Sequence, residues 1–227
     1  MNKKIILVHG AWADASNWRK VIPLVNKEGI EVLAAQIPLT SFQDDIDAVK
    51  RSIAHLGGNI VLVGHSYGGA VITAAGNSLN VTGLVYITAY APDKGETVGA
   101  LRLKNPAHPK APTLKPDADG FVWMSFEGIK DALAHDVASA EELELIFTAQ
   151  KPIAGKILAE VMPEPAWRTK PSWYLHCEND RMASPLTQAW MAERARANVL
   201  TLASGHMPLL SNAAAVSEII IKAARAK

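Results

Sequence analysis

Ile60-Val61-Leu62-Val63 runs straight into Gly64-His65-Ser66-Tyr67-Gly68, and that into the small apolar residues of 69–75. Four consecutive aliphatic residues read as a short strand buried on both faces. The segment after Gly68 suits a helix. A strand turning sharply into a helix forces the residue at the turn into strained backbone geometry, and Gly64 and Gly68 leave room for the close approach this requires. G-x-S-x-G in that setting lifts the Ser66 hydroxyl above the strand end, beside the free N–H groups and partial positive charge of a helix N-terminus. A phosphate-binding loop also joins strand to helix, but it ends in Gly-Lys-Ser/Thr, and no such triplet follows here.

Working outward, similar apolar runs recur at 5–8, 31–35, 84–88, 173–177 and 199–203. Helical patterns lie between them. Trp18, Val21, Ile22 and Val25 share a face that Gly29 ends, with Pro23 expected to bend the helix. Ile46, Val49, Ile53 and Leu56 repeat at three- and four-residue spacing before Gly57-Gly58. Ser184-Pro185 reads as an N-cap and first helical position. Ala213, Val216, Ile219 and Ile220 define a last helix over 212–224. The alternation predicts an α/β fold: a mostly parallel sheet of about six strands, covered on both faces by helices. In such sheets ligands bind at the carboxyl ends of the strands.

Residues 92–170 break the pattern. The segment is rich in proline, with a turn signal at Asp119-Gly120 and a short strand expected over 121–126. Ser139 and Glu142 have capping-box spacing, and Glu141, Glu142 and Glu144 read as a solvated helix face. The expected organisation is a core made of 1–91 and 171–227, with 92–170 inserted as a cap.

Composition narrows the partners. The chain has 227 residues, a formal net charge of +1, 49% hydrophobic and 20% charged residues, the balance of an ordinary globular domain. Its scattered Lys and Arg give no basic stripe, so neither nucleic acid nor an anionic membrane is an expected partner. The apolar run at 5–8 is too short for a signal peptide's core, and no stretch approaches the ~20 residues of a membrane span. Cys177, the single cysteine, permits no internal disulfide or cysteine metal cluster. It is expected to be buried in its strand and inert. The expected location is the cytoplasm; no metal or cofactor is called for.

A serine hydroxyl needs a neighbouring base to act as a nucleophile. His206, in Ser204-Gly205-His206-Met207, follows the last predicted strand and can reach Ser66 at the carboxyl edge. His9, His65 and His176 lie in turns or a strand and read as structural. Asp180, following the 173–177 strand and preceding His206, is the acid expected to orient the imidazole. Glu178 and Asp93 compete for that role. His9-Gly10-Ala11-Trp12 ends the first strand at the same edge, so the backbone N–H groups of Ala11 and Tyr67 are placed to hold an oxyanion.

Val8-His9-Gly10-Ala11-Trp12, Gly64-His65-Ser66-Tyr67-Gly68-Gly69, Asn179-Asp180 and Gly205-His206-Met207 together resemble the α/β-hydrolase superfamily. Within it the chain is similar to the branch holding plant methylesterases, hydroxynitrile lyases and bacterial carboxylesterases. The resemblance spans nearly the whole chain, strongest at the motifs and weakest across 92–170. It implies the α/β-hydrolase fold and cleavage of a small-molecule ester by a Ser66–His206–Asp180 triad. The first two strands of the eight-stranded superfamily sheet have no counterpart before Ile5. Lyases of this branch carry a lysine after the catalytic histidine and a threonine at the position of Gly10; here Met207 and Gly10 stand there, favouring ester hydrolysis. Enzymes of this fold with an aspartate nucleophile are set aside by Ser66. A cyanohydrin lyase and a non-catalytic small-molecule receptor remain the alternatives. Trp12, Trp123, Phe126 and Met207 are the expected apolar lining of a substrate pocket, although Trp123 and Phe126 would equally pack the cap onto the core.

Overall fold

The computed structural model describes residues 3–226. β1 (Lys4–Val8) leads through a 3-10 turn (Ala15–Trp18) to α1 (Ile22–Lys27), followed by β2 (Val32–Ala35), α2 (Phe42–Leu56), β3 (Ile60–His65), α3 (Gly68–Ala75) and β4 (Val81–Ile87). The 92–170 segment then carries α4 (Val98–Arg102), β5 (Phe121–Val122), α5 (Phe126–Gly128), a π-helical turn (Ile129–Leu133), α6 (Ala140–Thr148) and β6 (Ile153–Ala154). The chain returns through β7 (Ser172–Cys177), α7 (Pro185–Arg194), β8 (Asn198–Leu202), α8 (Pro208–Ser211) and α9 (Ala213–Arg225).

Six strands form one sheet in the order β2-β1-β3-β4-β7-β8, every neighbouring pair parallel. The apolar runs of β1, β3, β4 and β7 are almost wholly buried, whereas the edge strand β8 leaves Asn198, Val199 and Thr201 exposed. The first step, from β1 to β2, runs in one direction across the sheet and the later steps run in the other. Right-handed crossovers therefore put α1 on the face opposite α2 and α3. Accordingly α1 packs with α9, and α2 with α3. The reversal between β1 and β3 opens a crevice at their carboxyl ends, the place where such sheets bind ligands.

Some local expectations change. Pro23 does not bend a helix: it occupies the first turn of α1, where its missing N–H costs nothing. The strand expected over 121–126 shrinks to Phe121–Val122, paired antiparallel with Ile153–Ala154. Ser125 has left it to cap α5, its Oγ accepting from the Gly128 N–H at 3.0 Å. Ser139 caps α6 through the Glu142 N–H at 3.2 Å. The Glu142 carboxylate, however, is not solvated: it pairs with Arg19 and, at 2.9 Å, with Lys20, joining this segment to the sheet domain. Ser184 precedes α7 as expected but makes no side-chain cap bond; Pro185 alone marks that start.

The 92–170 segment lies over the strand ends. Trp12 Nε1 donates to the Val122 carbonyl at 2.9 Å, and the Ala154 N–H donates to the Leu39 carbonyl at 2.9 Å.

Candidate active site

Ser66 stands where β3 breaks into α3, with φ 52°, a left-handed conformation that costs a serine ~1–3 kcal/mol. The surrounding backbone holds it there: the Ser66 N–H donates to the Ile87 carbonyl at 3.2 Å, and its carbonyl accepts from Gly69 at 3.0 Å and Tyr90 at 3.1 Å. A Cβ on Gly64 would lie 2.5 Å from the Gly68 carbonyl oxygen, so the turn closes this tightly only around glycine.

His206, on the loop after β8, brings Nε2 to 2.8 Å from Ser66 Oγ. Its Nδ1 lies 2.7 Å from Asp180 Oδ2. Asp180 is fully engaged: Oδ1 accepts from the N–H groups of Met182 (2.7 Å) and Ala183 (2.9 Å), and Oδ2 also accepts from Gln188 Nε2 at 2.8 Å. A carboxylate with so many donors has no lone pair directed at His206 for any species but an Nδ1–H, which leaves Nε2 free to accept from the serine hydroxyl. All three side chains are buried. Of the competing acids, Asp93 pairs with Arg168 at 2.6 Å and Glu178 is exposed, so neither faces His206.

Two other histidines brace the turn. His9 Nδ1–H donates to the Gly10 carbonyl at 2.9 Å while its Nε2 accepts from the Ile37 N–H at 3.1 Å. His65 Nε2–H donates to the His206 carbonyl at 2.8 Å. Burial in the core holds His9 down at about 4 and His65 at about 3, so both are neutral at physiological pH. Tyr67 is anchored by its hydroxyl, which donates to Asp45 Oδ2 at 2.6 Å. Burial raises Asp45 to about 6, against the hydrogen bonds from Tyr67 and Leu39. Cys177 is buried, and burial pushes its thiol well above the usual range.

A cavity of about 20 Å³ meets Ser66 and His206, with room for roughly one water. Ala11, Trp12, Tyr67, Tyr90, Arg102 and Leu158 contribute to its lining. The Ala11 and Tyr67 amides donate to no protein acceptor among the described residues. The structure thus brings Ala11, Trp12 and Tyr67 to the nucleophile and leaves the other expected lining residues away from it. Trp123 is 53% exposed, its indole N–H bonded to Asp117 at 3.0 Å on the surface. Phe126 stacks edge-to-face on Phe147 at 5.6 Å. Met207 is buried at the start of α8, outside the cavity lining.

Several residues of the site were not singled out from the sequence. Gln188 fixes Asp180 from α7. Asp136, in the inserted segment, takes three bonds on one oxygen: Ser204 Oγ at 2.7 Å, the Gly205 N–H at 2.7 Å and Ser211 Oγ at 2.9 Å, so it clamps the histidine loop. Thr88 places Oγ1 3.1 Å from His206 Nδ1 and holds φ 41°, unusual for a β-branched residue. Its place at the carboxyl end of a predicted strand was the one available hint.

Comparison with known proteins follows the same lines. Residues 5–219 match the model of the Alpha/beta hydrolase family. The chain is 25% identical over 244 residues to alpha/beta hydrolase nvfD of Aspergillus novofumigatus, covering 97% of this chain and 96% of that protein. It is 25% identical over 247 residues to Methylesterase 2 of Arabidopsis thaliana, covering 95% of this chain and 94% of that one. The crystal structure of polyneuridine aldehyde esterase superposes with a TM-score of 0.83 at 21% identity, over 98% of this chain and 99% of its own.

Proposed function

The chain belongs to the alpha/beta hydrolase family, and on that premise we propose that it is a carboxylesterase cleaving small carboxylic esters through an acyl-enzyme on Ser66. The observation that carries this is the hydrogen-bonded line Ser66–His206–Asp180, set at the crevice between β1 and β3. Relatives named as esterases support the substrate class.

The chemistry runs in two halves. Ser66 Oγ attacks the ester carbonyl carbon as His206 Nε2 takes the hydroxyl proton. The carbonyl π electrons move onto oxygen, and that oxyanion accepts hydrogen bonds from the Ala11 and Tyr67 amides, each worth ~2.7–4 kcal/mol in the transition state. Collapse breaks the ester C–O bond, and the alcohol leaves with the proton from His206. Water then attacks the acyl-enzyme, giving its proton to His206. The second tetrahedral intermediate collapses to release the acid, and Ser66 regains its proton. Asp180 holds the imidazole in the tautomer with Nδ1–H and stabilises its cationic form.

Residues 92–170 act as the cap. Val98, Arg102 and Leu158 from this segment help close the cavity over Ser66, so an acyl group larger than water enters only when they give way. Against a cyanohydrin lyase, Met207 offers no cation where the lyases carry lysine, and a Cβ on Gly10 would sit 2.9 Å from the Cβ of Ser66.

The test is hydrolysis of p-nitrophenyl acetate and butyrate. Wild type releases p-nitrophenol, and Ser66→Ala falls by about 10⁴-fold or more. Equal rates in the two proteins, or no turnover by folded wild type, would overturn the proposal.

A further inference from the structure

A second cavity adjoins the one over Ser66. It measures about 510 Å³, and Arg102 and Met182 line both. The cavity at the nucleophile holds little beyond the reacting carbonyl, and the larger space that shares Arg102 and Met182 with it is where the rest of a substrate can extend.

Two guanidiniums, Arg102 and Arg181, and two carboxylates, Glu178 and Asp180, line the larger cavity beside His108 and His135, and the four charged groups differ in how far each is already engaged. Asp180 is already committed to His206, Gln188 and two backbone amides. Glu178 is exposed. Arg181 is occupied by the Asp131 carbonyl, which accepts from it at 2.7 Å. Arg102, at the end of α4, is half-buried beside Tyr90 and forms no ion pair among the described residues. By contrast Arg19, Arg168, Arg194 and Arg225 each have a carboxylate partner. Burial first, and then the neighbouring Arg181 and Lys110, hold His108 below its usual value. A guanidinium drawn partly out of water with no counter-ion is a preformed seat for a carboxylate, whose two oxygens match its planar fork.

We propose that Arg102 recognises a free carboxylate on the substrate, so that the preferred esters are half-esters of dicarboxylic acids, their chain lying in the larger cavity and their ester carbonyl at Ser66. This rests on the esterase role of Ser66. The substrate's carboxylate completes an ion pair the protein leaves open, and neutral esters of the same length leave Arg102 unpaired as the cap closes.

The experiment compares mono-p-nitrophenyl adipate with p-nitrophenyl 6-methylheptanoate, in which an isopropyl group replaces the carboxylate. Wild-type kcat/KM favours the half-ester by about tenfold or more at low salt, and the ratio shrinks as sodium chloride is added. In Arg102→Gln the ratio falls to about one or below; Arg102→Lys keeps part of it. Calorimetry on Ser66→Ala gives a readout without turnover: monomethyl adipate binds, and adding Arg102→Gln abolishes binding. A wild-type ratio near one, with the neutral ester cleaved, overturns the carboxylate site and leaves the esterase standing. A preference retained in Arg102→Gln overturns it equally. Cleavage of neither ester by wild type overturns the esterase reading; Arg102-dependent binding to Ser66→Ala would then still support the anion site.

Discussion

Three histidines cluster around the turn at Ser66, and chain position already set His206, after the last strand, apart from His9 and His65. What separates them is the partner each ring finds. His9 and His65 donate to backbone carbonyls inside the core, whereas His206 spans Ser66 and Asp180. The difference predicts a pH dependence of stability. His9 sits at about 4 and His65 at about 3, both below the unfolded value of 6.5. A depressed histidine lets the unfolded chain bind the proton first, so its contribution is intact above pH 6.5 and is lost as pH falls toward the folded values. Asp45 works the other way: raised from 3.8 to about 6, its contribution is intact below pH 3.8 and is lost as pH rises through about 6. Two histidines outweigh one carboxyl, so Tm falls as pH is lowered from 6.5 to 4. The fall is steeper in Asp45→Asn, which lacks the opposing contribution. Thermal melts across that range check this; a Tm independent of pH in both proteins would contradict it.

At the scale of elements, the strands were legible because they are buried on both faces. The runs 5–8, 60–63, 84–88 and 173–177 have no solvent face to interrupt them with polar residues, and each falls within a residue or a few of the observed strand. The candidate residues Ser66, His206 and Asp180 were legible because this fold gathers its strand ends at one edge, and each follows an apolar run. What sequence could not reveal depends on distant contacts. Trp123 looks like a pocket residue by composition, yet the brevity of β5 turns it to the surface beside Asp117. Asp136 lies 68 residues before Ser204, and nothing local marks it as the clamp on the histidine loop. Its role has a measurable consequence. Asp136→Ala frees three donors at once and lowers the unfolding free energy by about 2–3 kcal/mol in urea titrations, with a matching loss in kcat as His206 loosens. Only one carboxyl oxygen takes those bonds, while the other has no hydrogen-bond partner among the described residues. Asp136→Asn can present the same oxygen and loses less than half as much; an equal loss in both variants would contradict the clamp.

For the whole molecule, one topological fact places everything else. The sheet reverses its strand order between β1 and β3, and the crevice that opens there receives Ala11 from one strand end and Ser66 from the other. β7 and β8 then deliver Asp180 and His206 from the same edge, and the 92–170 segment closes over them. Four strand ends converge on one small cavity, which makes the arrangement a single device rather than four coincidences. Its central claim is that Ser66 is a nucleophile activated by His206. The most direct measurement is reaction of the folded protein with a fluorophosphonate probe, followed by intact-mass and peptide mass spectrometry. A single phosphonyl adduct on the peptide containing Ser66, absent from folded Ser66→Ala, is the predicted result; no adduct on folded wild type, or an adduct on another residue, would contradict the account.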